Sequence, residues 1–216
     1  MPILVAGTDE AGRGCVLGPL VICIAIVEEE KEPLLKKMGA KDSKLLTPAQ
    51  RENLYQKVKD ACVEARCIHI TAKQLNTMMG EHSLNEIEAM KVAELLSTMK
   101  HHPDRIIADS PDTDVKRFEA RIRKYLKRDL VIHSEHKADL NHPIVSGASI
   151  LAKVERDAEI AKIKKELGYD FGSGYTSDPR TIEFLKSNMH LPAVQKYIRT
   201  KWATISKLKQ RKLGDF

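Results

Sequence analysis

The sequence predicts an α/β fold whose sheet mixes antiparallel with parallel strands. Two apolar, strand-forming runs, residues 3–8 and Leu20–Val27, are joined by a short Gly- and Pro-containing connection, which calls for an antiparallel pair. Further on, Arg105–Asp109 and Leu130–Ile132 read as buried strands separated by one helix, an order that implies a parallel pair with a right-handed crossover. The chain of 216 residues is long for one domain and short for two, so a single core with a helical appendage fits best.

The first strand delivers Asp9 and Glu10 and runs at once into Ala11-Gly12-Arg13-Gly14. Neighbouring side chains of a strand face opposite ways, so both carboxylates serve one site only if the strand ends there. Gly12 and Gly14 supply a turn and permit close approach of a ligand. Carboxylates beside bare backbone N–H groups suit a metal ion held between acid and phosphate. Taken alone, the stretch suits an ordinary strand-to-turn boundary equally well.

Residues 14–19 read as a hairpin turn leading into Leu20–Val27. Pro33–Met38 is a short helix closed by Gly39, followed by the polar loop Lys41-Asp42-Ser43-Lys44. Thr47 as N-cap and Pro48 behind it open a helix of about four turns. Cys67–Thr71 is a strand. Ser83-Leu84-Asn85-Glu86 has the form of a capping box and starts a helix to about Met99. A basic helix follows from about Asp114 to Leu126. Residues 143–167 form the longest helix, with Ile144, Ala148, Leu151, Ala158 and Ala161 on one face. Residues 169–180 are a Gly-rich loop, short helices follow at 180–187 and 193–199, and the tail is basic.

Composition narrows the function. The hydrophobic content of 42% supports a core, and no apolar run reaches the length of a membrane span. The N-terminus lacks a basic stretch ahead of an apolar segment and reads as a mature, unexported, cytoplasmic start. Cys15, Cys23, Cys62 and Cys67 lack C-x-x-C spacing, so reduced thiols are expected rather than a zinc knot. His133-x-x-His136 is read as chance. The net charge of +6 leans toward a polyanion, and the basic residues gather at 116–128 and 196–216. One such run alone reads as a solvated helix face. Two of them beside a metal site favour nucleic acid over small anions.

Three strand or loop ends offer carboxylates: Asp9 with Glu10, Asp109, and Asp139 before the longest helix. Acids gathered this way repel one another unless cations neutralise them, and hard oxygen ligands select Mg²⁺ or Mn²⁺. Such a cluster near basic helices fits phosphodiester hydrolysis with two metals.

Six ordered motifs now stand along the chain: residues 8–14 (TDEAGRG), 41–44 (KDSK), 108–112 (ADSPD), 136–139 (HKAD), 148–157 (ASILAKVERD) and 172–179 (GSGYTSDP). In order and spacing they resemble ribonuclease HII of the archaeal type. The resemblance implies an RNase H-like fold, a five-stranded mixed sheet flanked by helices with a C-terminal helical extension. It divides the chain into a catalytic domain at 1–170 and the extension at 171–216. It implies a monomeric endonuclease that cuts the RNA strand of RNA–DNA hybrids, and also 5′ of single ribonucleotides in duplex DNA, leaving 3′-hydroxyl and 5′-phosphate ends. Carried over by position, Asp9, Glu10, Asp109 and Asp139 are its metal-binding acids. Gly12, Arg13 and Gly14 read the ribose 2′-hydroxyl. Tyr175 stands at the RNA–DNA junction, and Lys44, Ser149 and Lys153 contact phosphates. The chain departs from the family at Val145-Ser146-Gly147-Ala148, where Val-Ala-Ala-Ala is usual, and looser packing is expected there. An alternative keeps the fold and acts on all-DNA substrates, as a DNA nuclease or strand-transfer enzyme.

The tail Gln210-Arg211-Lys212-Leu213-Gly214-Asp215-Phe216 is similar to the peptide by which replication proteins dock on a sliding clamp. Gln210, Leu213 and Phe216 would share one side of a helical turn and enter an apolar pocket. A frayed basic tail is the other reading.

Overall fold

Strand β1 (Leu4–Ala11) is the axis of the sheet. In the computed structural model, which describes residues 2–38 and 47–213, it pairs with β2 (Leu20–Glu28) antiparallel, from Leu4 opposite Glu28 to Ala11 opposite Val21. On its other edge it pairs parallel with β4 (Arg105–Asp109), which pairs parallel with β5 (Val131–Glu135). With β3 (Glu64–Ile70) outside β2, the order is β3-β2-β1-β4-β5. This is the five-stranded mixed sheet that the family resemblance implies.

Helices α1 (Glu32–Lys37), α2 (Pro48–Ala61), α3 (Ala72–Met78), α4 (Leu84–Thr98) and α5 (Val115–Tyr125) connect these strands, after a turn of 3₁₀ helix at Glu29–Lys31. The single turn α6 (Ala138–Asn141) leads into α7 (Pro143–Leu167), and α8 (Pro179–Asn188), α9 (Pro192–Gln195) and α10 (Ala203–Leu213) complete the chain. No helix among the described residues is long and apolar enough to cross a membrane.

The chain forms two units. One comprises Met1–Ala11, Val21–Ile68 and Ser83–Glu155, the other Gly12–Leu20, His69–His82 and Arg156–Phe216. The core of the first sets Val5, Val21, Cys23, Ala25 and Val27 of the sheet against Leu35, Val58, Ile144, Ala148 and Leu151. Each large aliphatic side chain removed from water there contributes about 1.5–3 kcal/mol. The second unit packs Val16, Leu17, Ile160, Phe171, Phe184, Leu185 and Ile205 into a separate core.

Gly7 fixes how α7 lies on β1. A Cβ at this position would stand 2.6 Å from the backbone carbon of Ile144 and 2.6 Å from the nitrogen of Val145. Strand and helix therefore meet main chain to main chain. Gly147 is also filled, not slack. A Cβ there would lie 3.3 Å from Val58 and 3.7 Å from Leu35, which corrects the expectation of looser packing. Ser146 beside it is 1% exposed.

Several local expectations change. Thr47 and Gln50 form a reciprocal capping box, as do Thr71 and Gln74 at α3, a helix the sequence reading lacks. Ser83 caps the Glu86 N–H, but the Glu86 carboxylate goes to Arg121, Lys124 and Tyr125. Those bonds hold Glu86 down to about 2, led by Lys124 and Tyr125. They also draw Arg121 and Lys124 of the basic run into an ion network. The other run loses Arg199, which is fully buried instead of solvated. Residues 14–19 lie in the connection of the β1–β2 hairpin, as expected, but as part of a longer loop than a tight turn. Their backbone is bridged at Cys15 to Tyr175 and at Leu17 to Ile198. Cys23 and Cys67 are joined as a disulfide, because β2 and β3 lie side by side, and this overturns the reading of four reduced thiols. Cys15 and Cys62 remain free.

Candidate active site

The β1–β2 ladder continues through Asp9, opposite Cys23, and Glu10, opposite Ile22. The strand therefore runs through both acids and ends one residue later at Ala11, which leaves the pair at the strand's end. Asp9 is 6% exposed, and its Oδ1 accepts the backbone N–H of Glu10 at 2.8 Å. Thr8 pairs with Ala108 in the parallel ladder, so Asp9 and Asp109 follow at adjoining positions.

Asp109 closes β4, and its Oδ1 accepts the backbone N–H of Ala138 at 3.0 Å. Lys137, the residue ahead of α6, lies in the left-handed region, with φ of 57°. That kink lets α6 start within reach of Asp109 and leaves Asp139, 2% exposed, on its first turn. The ring nitrogens of His136 face the carbonyls of Ser110, at 3.4 Å, and Thr113, at 3.2 Å, so the approach to α6 is pinned to the loop after β4.

Helix α7 supplies the other border. Lys153 Nζ lies 4.0 Å from Asp9 Oδ2 and donates to Ser149 Oγ, while the Ser149 hydroxyl bonds Asp9. Ser149 and Lys153 stand one turn apart, which puts them on one helix face. Burial pushes the Asp9 carboxyl up to about 6. Lys153 and the Ser149 hydroxyl oppose that rise, and the Asp109 carboxylate adds to it. The acids are thus short of positive charge. Their hard carboxylate oxygens fit a divalent cation of the Mg²⁺ class.

The second unit holds a separate constellation. Gly12 has φ of 85°, and a Cβ on it would meet the Pro19 carbonyl at 2.7 Å. A Cβ on Gly174, φ 81°, would meet the Leu17 carbonyl at 2.7 Å. Val16 N–H donates to the Gly174 carbonyl at 2.8 Å. The two Gly-containing segments are thereby laid against each other, with Gly14 exposed and a Cβ on it 3.7 Å from the Tyr175 ring. Burial raises the Tyr175 hydroxyl to about 12, so it stays protonated.

Two arginines that the sequence reading did not single out hold this arrangement. Arg156, 5% exposed, stacks its guanidinium 4.9 Å from the centre of the Tyr175 ring and donates to the Ser173 carbonyl and the Cys15 sulfur. Arg199 donates to the carbonyls of Gly18, at 2.9 Å, and Arg13, at 3.1 Å. A signal existed for Arg156. It falls at i+4 and i+8 from Ala152 and Ala148, on the buried stripe of α7, where an unpaired charge is costly. Arg199 sits among lysines and arginines and carries no such mark.

Of the other residues singled out, Lys44 and Phe216 lie outside the described residues. Gln210 is exposed on α10, and of Leu213 only the backbone is described.

The family model described as Ribonuclease HII matches residues 6–205. A ribonuclease HII of Pyrococcus horikoshii is 44% identical over 211 residues, covering 96% of this chain and 93% of the relative. The crystal structure of ribonuclease H2 from Pyrococcus horikoshii OT3 superposes with a TM-score of 0.86 at 44% identity, over 97% of this chain and 98% of that one. The ribonuclease HII of Archaeoglobus fulgidus, solved as a complex with PCNA, gives a TM-score of 0.86 at 39% identity, over 98% of this chain and 100% of that one. The fold is RNase H-like.

Proposed function

Because the chain belongs to the ribonuclease HII family, we propose that it is a divalent-metal-dependent endonuclease that cuts the RNA strand of RNA–DNA hybrids and cuts 5′ of single ribonucleotides embedded in duplex DNA. The observation that carries the chemistry is the tie from Asp109 to the backbone just ahead of Asp139, with Asp109 and Asp9 adjoining across the parallel ladder.

In this reading Asp9, Glu10, Asp109 and Asp139 hold Mg²⁺ or Mn²⁺. Two such ions, when bound, lower the pKa of an attacking water and stabilise the leaving oxygen of an in-line displacement, giving 3′-hydroxyl and 5′-phosphate ends. The chain's own part is to hold four carboxylates ready and to limit their repulsion. Asp109 is fixed by the Ala138 N–H, and Asp9 by Ser149 and the Glu10 N–H. Lys153 places positive charge beside Asp9, where a phosphate group is drawn to it. Lys44 is assigned a phosphate contact from its motif.

Recognition is assigned to Gly12, Arg13, Gly14 and Tyr175. Exposed backbone at Gly14 can bond a ribose 2′-hydroxyl, the group that separates RNA from DNA. Tyr175, braced by Arg156, presents a rigid ring to the sugar on the deoxy side of the junction. The protein is read as a cytoplasmic monomer. Its C-terminal Gln210, Leu213 and Phe216 are assigned to a sliding clamp, a reading supported by the Archaeoglobus fulgidus relative solved with PCNA.

The deciding experiment incubates a duplex bearing one ribonucleotide with Mg²⁺ or Mn²⁺ and maps the product ends. A cut on the 5′ side of the ribonucleotide is expected. Equal cutting of an all-DNA duplex would overturn this reading in favour of a DNA nuclease.

A further inference from the structure

Three side chains outside the acid cluster converge on one point. On β5, alternation places His133 and Glu135 on the same face. The turn through α6 then brings His142 back to them, and its Nε2 lies 3.2 Å from Glu135 Oε2. His133 Nε2 lies 3.4 Å from that same oxygen. All three donor atoms fall within 4.8 Å of one another. The imidazole centroids are 6.1 Å apart at 72°, so the rings approach from different directions.

The two nitrogen–oxygen separations have the size expected within a coordination polyhedron. Zinc binds imidazole nitrogen and carboxylate oxygen at about 2.0–2.2 Å, so adjacent ligand atoms of a tetrahedron stand about 3.3–3.5 Å apart. The two nitrogen–oxygen distances are edges of that size. The second carboxylate oxygen, Glu135 Oε1, accepts from Asn141 Nδ2 at 2.8 Å, which orients the group from behind. His133 is half open to solvent, so a fourth position is accessible to water.

We propose that His133, Glu135 and His142 form a binding site for a divalent transition metal of the zinc class. Two imidazoles and one carboxylate distinguish it chemically from the all-oxygen set of Asp9, Glu10, Asp109 and Asp139, which suits Mg²⁺ or Mn²⁺. The ion clasps the end of β5 to the start of α7 across the single turn that carries Asp139. With three protein ligands the ion would staple the segment between the two elements and keep its fourth position open to water.

Zinc affinity is measured by competition with a chromogenic chelator, with Mg²⁺ in large excess. The intact chain is expected to take up one equivalent of Zn²⁺ under these conditions. Loss of a supporting residue behind a metal ligand costs about 10–100-fold, so Asn141→Ala should weaken binding by that factor, and His133→Ala or His142→Ala by more. Asp109→Asn should keep the equivalent. Unchanged affinity in both histidine variants, or loss of the equivalent in Asp109→Asn, would overturn the assignment. A check on the unmodified protein removes dependence on how the variants fold. The imidazole carbon-bound proton resonances of His133 and His142 should shift together with one equivalent of Zn²⁺, and shifts confined to other histidines would count decisively against the site.

Discussion

The backbone N–H of Ala138 donates to the carboxylate of Asp109, 3.0 Å away. One side chain on β4 thereby locates the turn that carries Asp139. Asparagine keeps an acceptor oxygen at this place but loses the charge. Asp109→Asn is therefore expected to abolish cleavage of a hybrid duplex while amide exchange at 138–142 stays as in the parent. Asp109→Ala should abolish cleavage and also speed exchange across those residues. Hydrogen exchange read by mass spectrometry separates the two outcomes.

Asp9 carries its carboxyl at about 6, well above its ordinary 3.8, chiefly because it is buried. A raised carboxyl binds more protons in the folded state than in the unfolded one. Without metal, folding stability should therefore fall as pH rises from 3.8 toward 6 and level off above. Asp9→Asn should flatten this slope and stabilise the metal-free protein at pH 7, on the order of 1–3 kcal/mol. Urea unfolding in chelator at several pH values measures both effects. A steeper slope in the variant would show that another group dominates.

Tyr175 is held by its stack with Arg156, and a Cβ on Gly14 would lie 3.7 Å from its ring. Tyr175→Ala should lower the rate at a single embedded ribonucleotide by more than the rate within a long RNA–DNA hybrid, since only the former requires reading a junction. Parallel time courses on the two duplexes decide the point, and equal losses would remove the junction role.

The tail offers a simpler test. A chain lacking residues 210–216 should bind the cognate sliding clamp at least tenfold more weakly by calorimetry, a loss of about 1.4 kcal/mol or more, with cleavage of a free duplex unchanged. Unaltered binding would refute the clamp assignment.

Much of the sheet was legible because its signals are local. The β1–β2 pairing follows from two apolar runs joined by a short link, and the parallel β4–β5 pair from strand, helix and strand in order. What escaped depends on contacts between distant residues. No periodicity announces that Glu86, the fourth residue of a capping-box sequence, serves Arg121 and Lys124 instead. Arg199 looks like one more tail cation until Gly18 and Arg13 present their carbonyls to it. His133 and His142 lie nine positions apart, a spacing with no helical or strand meaning, and only the left-handed backbone at Lys137 brings the chain round. The sequence marked the acids as residue types. It could not show that the β1 ladder passes through both Asp9 and Glu10, because a strand's last pair is set by its partner.

The missing side chain at Gly7 has a genetic consequence. Damage at most packed positions is reversible, since a smaller neighbour elsewhere makes room for a larger group. Here the obstructing atoms are the main-chain atoms of Ile144 and Val145, and no exchange of amino acids trims a peptide bond. Alanine at this position could be relieved only by moving that backbone, not by trimming a neighbouring side chain.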